Sequence, residues 1–316
     1  MPEWSEISYF IVNLLSATCR LGVPLLIASL GEIFAQRSGM INIGIEGYVT
    51  IGALAAYTGA LATGNPWLGV FFAIMAGWLL SMVHAYLSIK LGADQIIAGI
   101  GIWISGVGLA NFINRQFISE APGTNMLSMT TTSFSPVQIP GLGHIPVLGP
   151  ILLKQNILFY VSIGIFIAAI IVFKRTTFGL KIKMAGENPL AVDDAGISVS
   201  RIRTSCVGIC GALAGMAGAA LSLGIMDRFV EDMSAGRGFI ALAIVIVAGW
   251  EPARAVWGVL MFAGVSALQI RFQLEGIPIP FPFMMMLPYL FAIVIVVGVI
   301  KKARIPAAFL VHYKKQ

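Results

Sequence analysis

Cys206 and Cys210 stand one helical turn apart, a spacing from which two thiolates can begin a tetrahedral metal site. A zinc centre needs two more ligands, and no histidine or acidic residue neighbours the pair in sequence. Cys19 also falls in an apolar run, so all three cysteines read as buried free thiols. The histidines His84, His144 and His312 are scattered over an apolar segment, a loop and the tail. The chain contains no G-x-x-x-x-G-K-[ST] phosphate loop, no H-E-x-x-H and no G-x-S-x-G. These residue types imply neither an enzyme nor a nucleotide site, and no cofactor bound by this chain.

What remains is polar chemistry in apolar surroundings. The ionisable candidates there, Arg20, Glu46 and Asp94, are too few for the ion relay of a gradient-driven carrier. Neutral amides are better placed: Asn42, Asn111, Asn114 and Gln269 lie within or at the ends of apolar segments. Such amides suit sugar hydroxyls or base edges. Trp103 and Phe112 offer stacking surfaces. Asn111 and Asn114, three apart, share a helix face. With Glu46 these are the candidate pathway residues, and hydrogen bonding between helices is the competing role for the amides.

Two signatures surround them. Gly31 to Gly47 reads as a Gly-rich polar turn feeding directly into an apolar span, which requires its backbone to be buried in protein or to line water. If helical, Asn42 and Glu46 share a face. Glu46 then either sits near the interface at a helix start and pairs with Arg37, or lines a pathway. The second signature is a polar island from Lys174 to Arg203 that carries six basic residues. Within it, Asn188 to Gly196 reads as one short helix. Asn188 caps it, Pro189 suits its first turn, and Gly196 takes the left-handed stop. A short capped helix tethered to spans on both sides is a handle for another protein.

The elements that must position these groups are membrane helices. Hydrophobic residues make up 58% of the chain and charged ones only 11%, against roughly 25% charged in soluble domains. Mean hydropathy is +0.91. Nine candidate spans fall near residues 8–30, 46–63, 67–89, 96–118, 157–173, 204–224, 239–250, 255–271 and 283–300. Those at 239–250 and 283–300 are short for a bilayer that asks for about 20 residues. The fold class is all-α, a polytopic bundle of about eight to ten transmembrane helices forming one membrane domain over residues 1–316. Gly208, Gly211, Gly215 and Gly218 share one face, which reads as close helix packing.

Charge orients the bundle. Fourteen Lys and Arg fall on the side of the 174–203 loop and of the tail, 301–316, and five on the other, with Arg20 inside a span. The positive-inside rule puts the amino terminus outside and the carboxyl terminus in the cytoplasm. The basic pI of about 9.3 thus reflects orientation rather than nucleic-acid binding, which needs a clustered solvent-facing patch. The outer loop, about 119–156, and a second outer stretch, Asp227 to Arg237, are either partner contacts or plain connectors.

Three collinear stretches resemble the permeases of ABC importers in the branched-chain amino acid and simple-sugar family, closest to the nucleoside-uptake subgroup. They are Gly31–Gly47, Phe178 to Ile197, and Gly236-Arg237-Gly238-Phe239-Ile240-Ala241-Leu242-Ala243. Gln36 departs from the pattern, standing where the subgroup often has Glu. The resemblance implies a type II importer-like membrane subunit in the bacterial inner membrane. Its implied partners are a second, homologous permease, a cytoplasmic ATPase that uses the ATP, and an external substrate-binding lipoprotein. By similarity, Gly186, Glu187, Asn188, Pro189, Ala191, Ala195, Gly196 and Ile197 belong to the segment that couples to the ATPase. Nucleosides are the implied solute, with simple sugars or branched-chain amino acids as the alternative. A stand-alone carrier or channel is the competing class.

Overall fold

A computed structural model describes residues 6–119, 131–137, 147, 149–275, 280–299, 305–311 and 313. Most of the expected outer loop and part of the tail lie outside the described residues. Those described form helices: α1 (Glu6–Arg37), α2 (Ile45–Thr63), α3 (Pro66–Ala85), α4 (Gln95–Ile113), α5 (Ile157–Arg175), α6 (Thr177–Glu187), α7 (Pro189–Asp194), α8 (Val199–Ser222), α9 (Arg237–Val247), α10 (Pro252–Leu274) and α11 (Phe281–Val299).

Local chemistry sets many of the helix starts. Asn65, Asp94, Asn156, Thr176, Asn188 and Ser198 each cap the helix that follows by accepting backbone N–H bonds. Asp94, a candidate ionisable group of the membrane interior by sequence, is instead the exposed cap of α4, bonded to Ile96 N and Ile97 N at 2.9 Å.

Of the nine expected spans, six coincide with helices long and apolar enough to cross a bilayer: α1, α3, α4, α5, α8 and α10. Helix α1 is longer than expected. It runs unbroken to Arg37, so Gly31–Arg37 is helix and the turn is confined to Ser38–Gly44. The 239–250 segment is no full span, because α9 has 11 residues, about 16 Å of rise against a core of about 30 Å. The polar island holds two helices, α6 and α7, where one was expected.

Helix α8 is the axis of the bundle, packed by α1, α2 and α3. Its glycine face bears out the packing expectation. Gly208 meets Trp78 and Met82, Gly211 meets Gly77 and Ser81, Gly215 meets Ala73 and Gly52, and Gly218 meets Val49 and Ala53. A Cβ on Gly52 would lie 2.5 Å from Gly215 Cα, so the α2–α8 crossing tolerates no side chain there. Lipid supplies no hydrophobic drive between helices, and close backbone approach replaces it with dispersion contacts.

Contacts along α8 give depth to everything else. The end bearing α6 and α7 is termed the inner end. Arg203, one turn into α8, donates to Ser38 O at 3.1 Å. Cys210, halfway along, accepts from Asn42 Nδ2 at 3.3 Å. Leu223, just past its far end, packs by Gly69. The chain therefore leaves α1 at the inner end, climbs through residues 38–44 to mid-depth, and starts α2 there, heading outward. The second half mirrors this: α8 runs outward, residues 223–236 turn back, and α9 starts at mid-depth and heads inward to Trp250. Two broken helices meet by their amino-terminal ends inside the bundle.

Candidate functional site

The meeting point is held by Glu46. Its side chain is 4% exposed, in the first turn of α2. Oε1 accepts Gly236 N at 2.8 Å and Oε2 accepts Gly238 N at 2.6 Å. The carboxylate thus takes up two amides at the start of α9, where an anion also meets the positive end of the helix dipole. Thr50, one turn on, pairs with Ser234 across the same seam, Oγ1 to Oγ 3.0 Å. Gly236 has φ +70°, a left-handed conformation that costs a Cβ-bearing residue about 1–2 kcal/mol.

This geometry corrects two sequence expectations. Residues 42–44 are not helical, so Asn42 and Glu46 share no face, and Glu46 does not pair with Arg37. Asn42 points to α8 and α3: Nδ2 donates to Cys210 Sγ, and Oδ1 lies 2.8 Å from His84 Nδ1. Its backbone N–H donates to Glu32 Oε1 at 3.1 Å, and Cys210 Sγ lies 3.1 Å from Glu32 Oε2. Tyr48 Oη approaches His84 Nδ1 at 3.2 Å. Sequence reasoning left Cys210 a lone buried thiol. It is a free thiol, yet the fold brings a carboxylate, an amide and a histidine to one buried cluster from four separate elements.

Gln36 joins that cluster to the turn that follows α9. Its Nε2 donates to Glu32 Oε1 at 2.9 Å and its Oε1 accepts Trp250 Nε1 at 2.6 Å. A glutamate at this position would have no proton to give Glu32 when ionised. The amide that departs from the subgroup pattern is the group that satisfies both neighbours.

The remaining pathway candidates are spread out. Trp103 is packed rather than open, its ring 4.8 Å from that of Phe239 at 89°. Asn111 reaches the re-entrant loop, Nδ2 to Asp232 Oδ1 3.5 Å. Phe112 is exposed on α4, and Asn114 is buried just beyond the end of α4. Gln269 lies on α10, which packs on α1, α9 and α11, and is not gathered with them. Asp227 to Arg237, expected on the outer side as a partner contact or a connector, belongs to a segment that dips inward from Leu223 to Gly236. Its outer mouth is fixed by a bidentate pair, Arg115 Nε and Nη2 to Glu231 at 2.6 Å. That arginine holds the Glu231 carboxyl below its ordinary 4.5. Arg20 borders an outer cavity of about 810 Å³ that Lys154, Arg271 and Asp227 also line.

At the inner end most of the coupling candidates reach the surface around α7, while Gly186 is buried. Asn188 Oδ1 accepts Ala191 N at 3.1 Å, and Gly196 takes φ +75°. The two ends of α7 are closed as the sequence requires. Val192 anchors the helix in the core while Leu190, Ala191, Ala195 and Gly196 face outward. Ile197 N donates to Val192 O at 3.1 Å, closing the turn. Glu187 pairs with Arg37 at 3.8 Å, so Arg37 has an acidic partner that its sequence neighbourhood did not reveal. Gly186 abuts the Arg37 carbonyl. Leu180 and Met184 on α6 and Leu190 on α7 are exposed apolar side chains at this end. A compact apolar knob with a capped frame suits a protein partner.

Known proteins place this architecture. Residues 14–300 match the family model described as the permease component of the branched-chain amino acid transport system. The guanosine ABC transporter permease protein NupQ of Bacillus subtilis is 36% identical over 96% of this chain and 98% of its own length. The nucleoside ABC transporter permease protein NupC of Lactococcus lactis is 34% identical over 92% and 93%. TsgC13 of Haloferax volcanii, provisionally named as a glucose ABC transporter permease protein, is 35% identical over 84% and 79%. Each of these organisms contributes a second, less similar permease match. No solved structure matches the chain. The relatives are transport subunits rather than enzymes, and this multi-pass chain, with its broken helices and capped inner knob, belongs to the branched-chain amino acid transport permease family.

Proposed function

We propose that this chain is the membrane subunit through which an ABC importer takes up nucleosides, working with a separate ATPase that docks on α7. The observation that carries the reading is the near end-to-end similarity to NupQ, 96% of this chain and 98% of that one. The knob supports the ATPase half: a helix of six residues, capped at both ends and anchored by one buried valine, is a stiff contact for transmitting motion. In this reading a second permease completes the pathway, an external lipoprotein delivers the solute, and the cation-rich end faces the cytoplasm. The outer half of α4, with Asn111, Asn114 and Phe112, lies on the solute's route beside the re-entrant loop.

The test is uptake of labelled guanosine by the complete complex in proteoliposomes, with glucose and leucine as competitors. Guanosine uptake that needs ATP and resists both competitors is expected. Glucose uptake instead would favour the second reading, motivated by TsgC13. Replacing Asn188 and Pro189 with Gly-Gly removes the cap and the fixed first turn. Hydrolysis should then continue while uptake falls to background, and normal uptake would sink the docking assignment.

A further inference from the structure

We propose that Glu46 is a positioning residue for transport: its carboxylate latches α9 to α2 at mid-depth, and each transport cycle requires that latch to open. This rests on the importer reading above and adds to it the moving joint.

Three observations converge on the seam. First, α9 begins inside the bundle, and Glu46 accepts its Gly236 and Gly238 amides. Side-chain acceptors can be exchanged for water or solute hydroxyls, whereas backbone bonds within a helix cannot be exchanged without unwinding it. Second, the segment leading to α9 is held in sparsely populated conformations. Asp227, Asp232 and Ala235 have φ of +57°, +56° and +44°. Strained backbone that persists through a few side-chain bonds, here Glu46, Thr50 and the Arg115–Glu231 pair, belongs to switching elements. Third, the other end of α9 is wired to the inner knob. Trp250 bonds Gln36 on α1, the next residue, Arg37, pairs with Glu187, and α7 follows at once. A displacement of α7 therefore reaches α9 through one continuous set of contacts, and α9 bears directly on Glu46. A purely structural carboxylate would satisfy the first observation and leave the other two without a role.

The Thr50–Ser234 contact allows the latch to be locked. Their hydroxyl oxygens are 3.0 Å apart, so the two side chains meet across the seam. The variant Thr50→Cys with Ser234→Cys, in the full complex in proteoliposomes, is assayed reduced and oxidised, the oxidation removing two electrons through an added copper–phenanthroline oxidant. Guanosine uptake by the reduced form is expected, with loss to background on oxidation and recovery with dithiothreitol. Uptake by the quantitatively cross-linked form at the reduced rate would overturn the latch. The reduced form's choice of solute tests the nucleoside reading separately. If the reduced pair is inactive, Ser234→Cys alone decides the matter. Ser234 is 3% exposed, so its thiol should react with a membrane-impermeant maleimide faster with ATP and solute than without. Equal rates would sink the proposal.

Discussion

The inner knob and the mid-membrane seam are both short helices with marked ends, yet they obey different physics. Helix α7 is closed by its own neighbours, Asn188 before it and Gly196 after it. Helix α9 is closed by Glu46, 190 residues from Gly236 in the chain. Local capping survives when its surroundings move, so the knob can travel as a unit. Non-local capping fails when its surroundings move, which makes the seam the place where a displacement is felt. The comparison teaches that the stiff part and the yielding part of this permease are told apart by where each finds its cap.

The largest effect that would sharpen the contrast is expected at Gln36. Gln36→Glu removes the amide donor to Glu32 and adds a second acidic group to a buried site. A loss of about 1–3 kcal/mol is expected, read as a lower melting temperature of the purified protein. An unchanged melting temperature would mean that the cluster joining α1 to α9 carries no weight. Asn188→Ala at the knob should be gentler, about 1 kcal/mol of local helix stability, with the global melting temperature unmoved and uptake reduced. Asn188→Ser should restore uptake, and a global loss from Asn188→Ala would break the distinction between the regions.

The smallest effect concerns Glu231. Arg115 depresses its folded-state titration below 4.5, so the stabilisation is present near neutrality and is lost as pH falls through the acid range. Both side chains touch water, which limits the contribution to about 1 kcal/mol or less. Wild type and Glu231→Gln should differ slightly in melting temperature at pH 7 and converge as pH falls through the depressed folded-state titration of Glu231. A difference that grows toward acid would reverse the assignment.

This division also explains what the sequence made legible. Composition and apolar run length suffice for an all-α membrane bundle, because the bilayer leaves the backbone few other choices. The α7 caps and the Gly208–Gly218 face were readable since their partners lie within a turn or repeat at helical spacing. The limits of Gly31–Gly47 were not, since whether Gly31 stays helical depends on Cys210 and Leu213 packed against it. The 239–250 segment stood out as too short for a span, but the identity of its cap could not be read from its flanks. Glu46 drew attention as a charge in an apolar run, and two nearby Gly residues at 236 and 238 were the only hint of a waiting pair of amides.

Residues 305–311 of the tail are stitched across the inner end. Ala308 N donates to Gly186 O at 2.8 Å and Leu310 N to Gly39 O at 3.1 Å, and Arg203 donates to Val311 O at 2.9 Å. The last stretch of the polypeptide thereby clasps the knob, the first bend after α1 and the root of α8 in one seam. A bulky fusion appended there would pull on the clasp.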